Sequence, residues 1–159
     1  LLQKGVLVAL SSDAALTGNV FDKFRLMHLF STVHKEVRLD PAIINPETCV
    51  EIATINGAKV AFWDDQIGSI EAGKKADIII VDVHRSNWQP LHDFNIIPNM
   101  VYSASGDDVL TTIIDGKLIM ENRSFLHINV QDVLRKAQAA SERLLAEAPY
   151  RLLPRWPVE

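Results

Sequence analysis

A chain of 159 residues that is 48% hydrophobic and 23% charged has the composition of one ordinary globular domain, which excludes disorder over most of its length. Its net charge of −4, with no block of Lys or Arg, argues against a nucleic-acid partner, and its single cysteine, Cys49, excludes an intrachain disulfide and a Cys-rich zinc site. The longest apolar runs, such as Ile78 to Val81, fall far short of a membrane span, so no membrane partner is expected, and one lone cysteine fits a reducing, cytoplasmic location.

The chain opens on Leu1-Leu2-Gln3-Lys4-Gly5, with neither Met nor a signal-peptide layout, so we expect it to begin inside a longer product. Val6 to Leu10 is a continuous apolar run, the pattern of a strand buried on both faces, and it ends at the polar cluster Ser11-Ser12-Asp13. Asn19 is the expected cap of a helix from Val20 to about His34, with Asp22 in its first turn and Phe21, Phe24, Met27 and Phe30 inward. Asn45-Pro46 opens a second helix, Asn as cap and Pro at the first position, whose face carries Cys49, Ile52, Ala53 and Ile55 and which ends at Trp63-Asp64-Asp65.

The pattern then changes. Ile67 to Ile70 and Ala76 to Val81 read as short strands around the Gly73 turn, and a loop with Pro90 and Pro98 follows. Asn99 to Ser103 and Val109 to Ile114 are two further strand candidates. Asp115-Gly116 is a hairpin signal that returns the chain into Lys117 to Met120. Asn129 caps a last helix, Val130 to about Ala146, with Val133, Leu134, Ala137, Leu144 and Leu145 inward; Pro149, Pro154 and Pro157 make the tail irregular. The parts are therefore residues 1–62, residues 63–125 with the β unit, and residues 126–159 with the helix and tail. A strand buried on both faces needs parallel neighbours and helical cover. A closed eight-stranded barrel takes roughly 250 residues. Either the strand joins a barrel built by sequence outside this chain, or Val6 to Leu10 is no strand.

The stretch Ala53-Thr54-Ile55-Asn56-Gly57-Ala58-Lys59, followed by Ile67-Gly68-Ser69-Ile70-Glu71-Ala72-Gly73-Lys74-Lys75-Ala76-Asp77 and Ile78 to Asp82, resembles the C-terminal part of the amidohydrolase superfamily. Val109 to Met120 is similar to that family's closing hairpin, and Val6 to Asn19 to its last barrel strand and following loop. The match covers most of residues 5–125 in the expected order and looks like the deaminase and triazine-hydrolase branch, with cytosine, guanine and adenosyl-type deaminases. The resemblance implies an α/β fold: the last strand and helix of a (β/α)8 barrel, part of a small β-sandwich assembled from both chain ends, and a C-terminal helix. It implies one divalent metal, zinc or iron, in the intact enzyme, and a small, heterocyclic substrate. It also implies a missing N-terminal part as partner, and a homo-oligomer.

The family's His-x-His pair and further His ligands have no counterpart here: His28, His34, His84, His92 and His127 lack that spacing. Asp13 stands at the position of the aspartate that ends the last barrel strand, which implies a metal ligand and catalytic base. A metal-bound water near neutral pH would attack an sp² carbon, and a carboxylate beside it would pass the proton to the leaving group. Without the resemblance, an Asp after a strand reads as a turn residue or cap. The loop Asp13-Ala14-Ala15-Leu16-Thr17-Gly18-Asn19 departs from the family, which often has Gly after this Asp and an Asn pair further on, and that leaves the substrate open. Ser12 and Asn19 are substrate candidates, against the readings of turn serine and helix cap. Lys74-Lys75 reads as a solvated turn, His92-Asp93 as a Pro-flanked loop, and Trp63, Trp88 and Trp156 as packing residues. Cys49 reads as a small buried apolar residue. With one expected ligand, the chain alone should hold no metal tightly and be inactive. The other reading is a non-catalytic structural or oligomerisation module related to the same enzymes.

Overall fold

The computed structural model describes residues 1–14, 18–149 and 156. Pro154 and Pro157 of the expected irregular tail, and Ala15, Leu16 and Thr17 of the loop after Asp13, lie outside the described residues. The chain divides into two units, Leu1–Ser124 and Phe125–Glu159.

The first unit begins with a short turn and then Val6 to Leu10, which is not a strand. A strand exists only through ladder partners, and among the described residues this run has none. Leu10 N–H donates to Ile52 O at 2.9 Å and Val6 N–H to Leu1 O at 3.3 Å, and Val6 and Leu7 are nearly half exposed.

Helix α1 spans Lys23–Arg38. The expected start at Val20, with Asn19 as cap, is corrected: Asp22 is the cap, its carboxylate accepting from Phe24 N–H and Arg25 N–H. Asn19 instead has a left-handed φ of 53°. The shift follows the apolar register: Phe24, Met27 and Ser31, at i, i+3 and i+7, are the buried face, whereas Phe21 lies outside the helix and is 64% exposed. Helix α2, Pro46–Ala53, starts as expected, with Asn45 Oδ1 accepting Thr48 N–H at 2.8 Å and Pro46 at the first position. It stops at Thr54, and α3 covers Ile55–Val60. The core of the unit is Phe24, Met27, Ile44, Cys49 and Val101. Cys49 is fully buried, and burial pushes its thiol above the ordinary range against a hydrogen bond with Ser31 that lowers it.

Ile67 to Ile70 is also no strand; it is a bend pressed onto α3. Gly68 has φ 93°, and a Cβ there would meet Ala58 Cβ at 2.7 Å and Ile55 Cα at 3.1 Å. Strand β1 is Ile78–Val81. The expected strand at Asn99 to Ser103 is helical instead: α4 spans Ile96–Tyr102. Pro98 is the third residue of that helix. In a first helical turn the missing N–H costs nothing, because that donor has no intrahelical acceptor. Strands β2 (Val109–Ile114), β3 (Lys117–Glu121) and β4 (Ser124–Phe125) follow β1 in sheet order β1-β2-β3-β4. Both β1–β2 and β2–β3 are antiparallel, with Ile79 opposite Thr112 and Ile113 opposite Leu118. Asp115 and Gly116 both have positive φ, 50° and 72°, the primed turn that suits a two-residue hairpin.

In the second unit, Asn129 Oδ1 caps α5, Val130–Glu147, by accepting Asp132 N–H at 3.0 Å. The residues expected inward are exposed: Val133 53%, Leu134 57%, Leu144 65% and Leu145 60%. The helix has the amphipathic pattern without a core behind it. Among the described residues no helix is long and apolar enough to cross a membrane.

Candidate functional site

The loop that leaves Leu10 and enters α1 at Asp22 carries all three candidate site residues. Asp13 is exposed, with a left-handed φ of 56°. Its backbone N–H donates to Ser11 Oγ at 3.2 Å, and its Oδ1 accepts Ala14 N–H at 2.7 Å. Ser12, half-buried, donates its hydroxyl to Asp13 O at 3.3 Å and accepts from Lys23 Nζ at 3.5 Å. The loop folds back on itself: Gly18 N–H donates to Ala14 O at 3.2 Å, and a Cβ on Gly18 would lie 3.1 Å from Ser12 O. Asn19, next to that closure, is exposed. Gly18 is thus a neighbour of Ser12, and no contact brings Asn19 to either Ser12 or Asp13 among the described residues.

Asp13 is the kind of donor a hard divalent ion takes, an accessible carboxylate at a chain reversal. Yet among the described residues no three His, Cys, Asp or Glu side chains stand together as a metal site would need. The described residues do not by themselves fit a catalytic metal.

Two aspartates that anchor this region escape a motif reading. Asp22 caps α1 with Oδ1, at 2.9 Å from Phe24 N, and with Oδ2 accepts Gly106 N–H at 2.9 Å, 84 residues away. The cap was legible, since Asp is a favoured cap and the periodic face begins at Phe24; the distant donor had no sequence signal. Asp108, fully buried, accepts at Oδ2 from Ser105 N–H, Asn87 Nδ2 and Trp88 Nε1 at 2.9, 2.9 and 3.1 Å. Arg85 Nη1 stands 2.8 Å from Oδ1 at an angle too oblique for an aligned hydrogen bond, so charge rather than a shared proton meets that oxygen. Burial alone raises the Asp108 carboxyl, but the donors and the Arg85 charge outweigh it and hold it below the usual carboxylate range. Trp88, fully buried, is a packing residue as expected; Trp63 and Trp156 are 58% and 74% exposed.

The signature stretch is structural. Lys74 Nζ donates to Asp64 O at 2.6 Å and to Ser69 Oγ at 2.7 Å and pairs with Glu71 at 3.3 Å, so it is a tie across the bend rather than a solvated side chain. Asp77 Oδ1 accepts Asp115 N–H at 2.6 Å and fixes the hairpin turn. His92 and Asp93 form no catalytic pair: His92 caps a short turn with Asn95 and stacks on Phe94 at 5.1 Å.

A model of the amidohydrolase family matches residues 1–119. The chain is 39% identical over 145 residues to a 5-methylthioadenosine/S-adenosylhomocysteine deaminase of Thermoanaerobacter pseudethanolicus, covering 91% of this chain and 33% of that protein. It is 36% identical over 148 residues to a 5'-deoxyadenosine deaminase of Methanosarcina acetivorans, covering 93% and 33%. Among solved structures it is similar to an adenosine deaminase from Xanthomonas campestris with bound zinc, at TM-score 0.86 and 28% identity over 91% of this chain and 32% of that one. An atrazine chlorohydrolase of Arthrobacter aurescens complexed with zinc shares the fold at TM-score 0.69 and 20% identity, over 87% of this chain and 30% of that one. The chain therefore spans about a third of the length of the relatives it matches.

Proposed function

The chain belongs to the amidohydrolase family, and from that premise we propose that it is the C-terminal part of a metal-dependent deaminase that hydrolyses the C–N bond of an aminopurine nucleoside. The observation that carries this reading is the similarity, over nine-tenths of the chain, to adenosine-type deaminases, with a solved relative that holds zinc. In this reading Val6 to Leu10 becomes the last strand of a (β/α)8 barrel once upstream sequence supplies its neighbours. The sheet β1–β4 is then part of a small sandwich. The N-terminal remainder is the chain's first partner. Assembly into a homo-oligomer and a cytoplasmic location belong to the same proposal.

Asp13 is the catalytic residue this chain contributes, as a metal ligand and as the base that takes the proton of the attacking water and delivers it to the departing amine. Its position supports the role: an exposed carboxylate on a chain reversal just after the run that would end a barrel strand, where barrel enzymes carry their chemistry. In the same reading Ser12 and Asn19, which belong to the loop of Asp13, contact the substrate. A divalent metal, zinc or iron, would supply water with a pKa lowered toward about 7. The ligands beyond Asp13 come from outside the chain.

The test is ammonia release by the intact, metal-replete protein from 5'-substituted adenosines, followed with the matching loss of the adenine absorbance. Release that stops when the metal is chelated supports the reading. A metal-replete protein that leaves every aminopurine nucleoside unchanged contradicts it and favours a non-catalytic module.

A further inference from the structure

The loop bearing Asp13 is held at its two ends. Before it, Leu10 N–H donates to Ile52 O. After it, the carboxylate of Asp22 works in two directions, one oxygen on the first turn of α1 and the other on Gly106 N–H at 2.9 Å. Between these anchors, every hydrogen bond of the described loop residues runs to another loop residue or to Lys23. Two of those residues, Asp13 and Asn19, sit at left-handed φ, a conformation that Asp and Asn adopt more readily than other non-glycine residues. The Gly106 end is firm: the Gly106–Asp108 turn is pinned by the buried Asp108 to Asn87, Trp88 and Arg85.

We propose that Asp22 is a positioning residue for the proposed deamination: by bridging the start of α1 to Gly106 it fixes the loop whose other end presents Asp13. This rests on the reading of Asp13 given above. Asp22 itself touches no reacting atom. A cap alone would need one oxygen, and the second, spent on a donor 84 residues away, ties the loop to the part of the unit that carries the sheet.

Two variants of the intact protein separate the bridge from the cap. Asp22→Ser keeps an oxygen that can cap the helix and removes the one that reaches Gly106. Gly106→Pro removes the N–H at the first position of a turn, where proline is tolerated, and its ring pushes away the Asp22 oxygen that the N–H held, so it breaks the bridge from the other side. Hydrogen exchange is read at the bonded amides of Asp13, Ala14 and Gly18, alongside those of β1–β3. The expected result in both variants is exchange about tenfold faster in the loop only, with kcat down about tenfold and KM within about twofold, the scale of one lost hydrogen bond to a charged group. Unchanged loop exchange, a rise shared by the whole chain, or an unaltered kcat beside a loosened loop overturns the proposal. If the unsubstituted protein releases no ammonia, the deaminase reading fails by itself, and the exchange measurement still decides whether Asp22 holds the loop.

Discussion

Asp13 and Asp108 show how environment divides the work of two carboxylates. Asp13 is open to solvent and holds one intraloop bond, so it is available for chemistry; Asp108 is surrounded by donors and is committed to structure. In the intact protein, Asp13→Asn should lower turnover by at least about 10²-fold while leaving the thermal midpoint nearly unchanged, because Asn keeps the size and cannot take a proton. Turnover within a few-fold of the unsubstituted protein would make Asp13 a turn residue. Asp108→Ala should cost about 3 kcal/mol in urea unfolding, since it strips Trp88 Nε1–H of its acceptor inside the fold. The pH dependence follows from the same contacts. The folded Asp108 carboxyl lies below its unfolded value of about 3.9, so its stabilisation is fully present above that pH and is lost as pH falls through the folded value. Asp108→Asn should therefore flatten the decline in stability below about pH 4, and an unaltered acid limb would show that Asp108 does not govern it. The family resemblance pointed to Asp13, which without it reads as a turn residue or cap, and Asp108 was missed because three of its four partners lie 20 or more residues away in a loop with no periodic pattern.

Elements were legible where the signal was local. The Asn45-Pro46 start, the Asp115-Gly116 hairpin and the Asn129 cap all formed as their side chains and φ preferences require. The failures were those where a partner decides. Val6 to Leu10 has the composition of a buried strand and no ladder here, and Ile96–Tyr102 is a helix although Pro98 and its β-branched neighbours resembled a loop and strand. Gly68 is the element-scale contact most open to test: its backbone at φ 93° presses on α3, so Gly68→Ala should destabilise the intact protein by about 2 kcal/mol or more in urea unfolding. A loss below a few tenths would mean that the bend and α3 can separate freely. Arg123 makes a similar exchange in the tight turn after β3. Its left-handed φ of 63° is unfavourable for a bulky residue, and its guanidinium answers with bonds to Asp82 Oδ2 and Asp107 O, both at 3.0 Å.

At the scale of the molecule, apolar surface is the leading feature. Ile70 is 83% exposed, Ile79 and Ile80 are about half exposed, and the apolar stripe of α5 is open from Val133 to Leu145. The first three belong to stretches read as short strands, and the stripe of α5 follows the pattern of a buried helix face, which is why the sequence read it as inward. Surface of this kind drives association, so residues 1–159 expressed alone should scatter light as a species larger than a monomer, and a cooperative monomer would favour an independent domain. In the proposed function this chain adds one carboxylate ligand, Asp13, to a metal site whose remaining ligands lie elsewhere in the intact protein. Metal content after exhaustive dialysis, measured side by side for the intact protein and for residues 1–159, tests it most directly. About one divalent ion per intact chain and none on residues 1–159 is the expected result, whereas a stoichiometric ion retained by residues 1–159, or none retained by the intact protein, would contradict the proposed site.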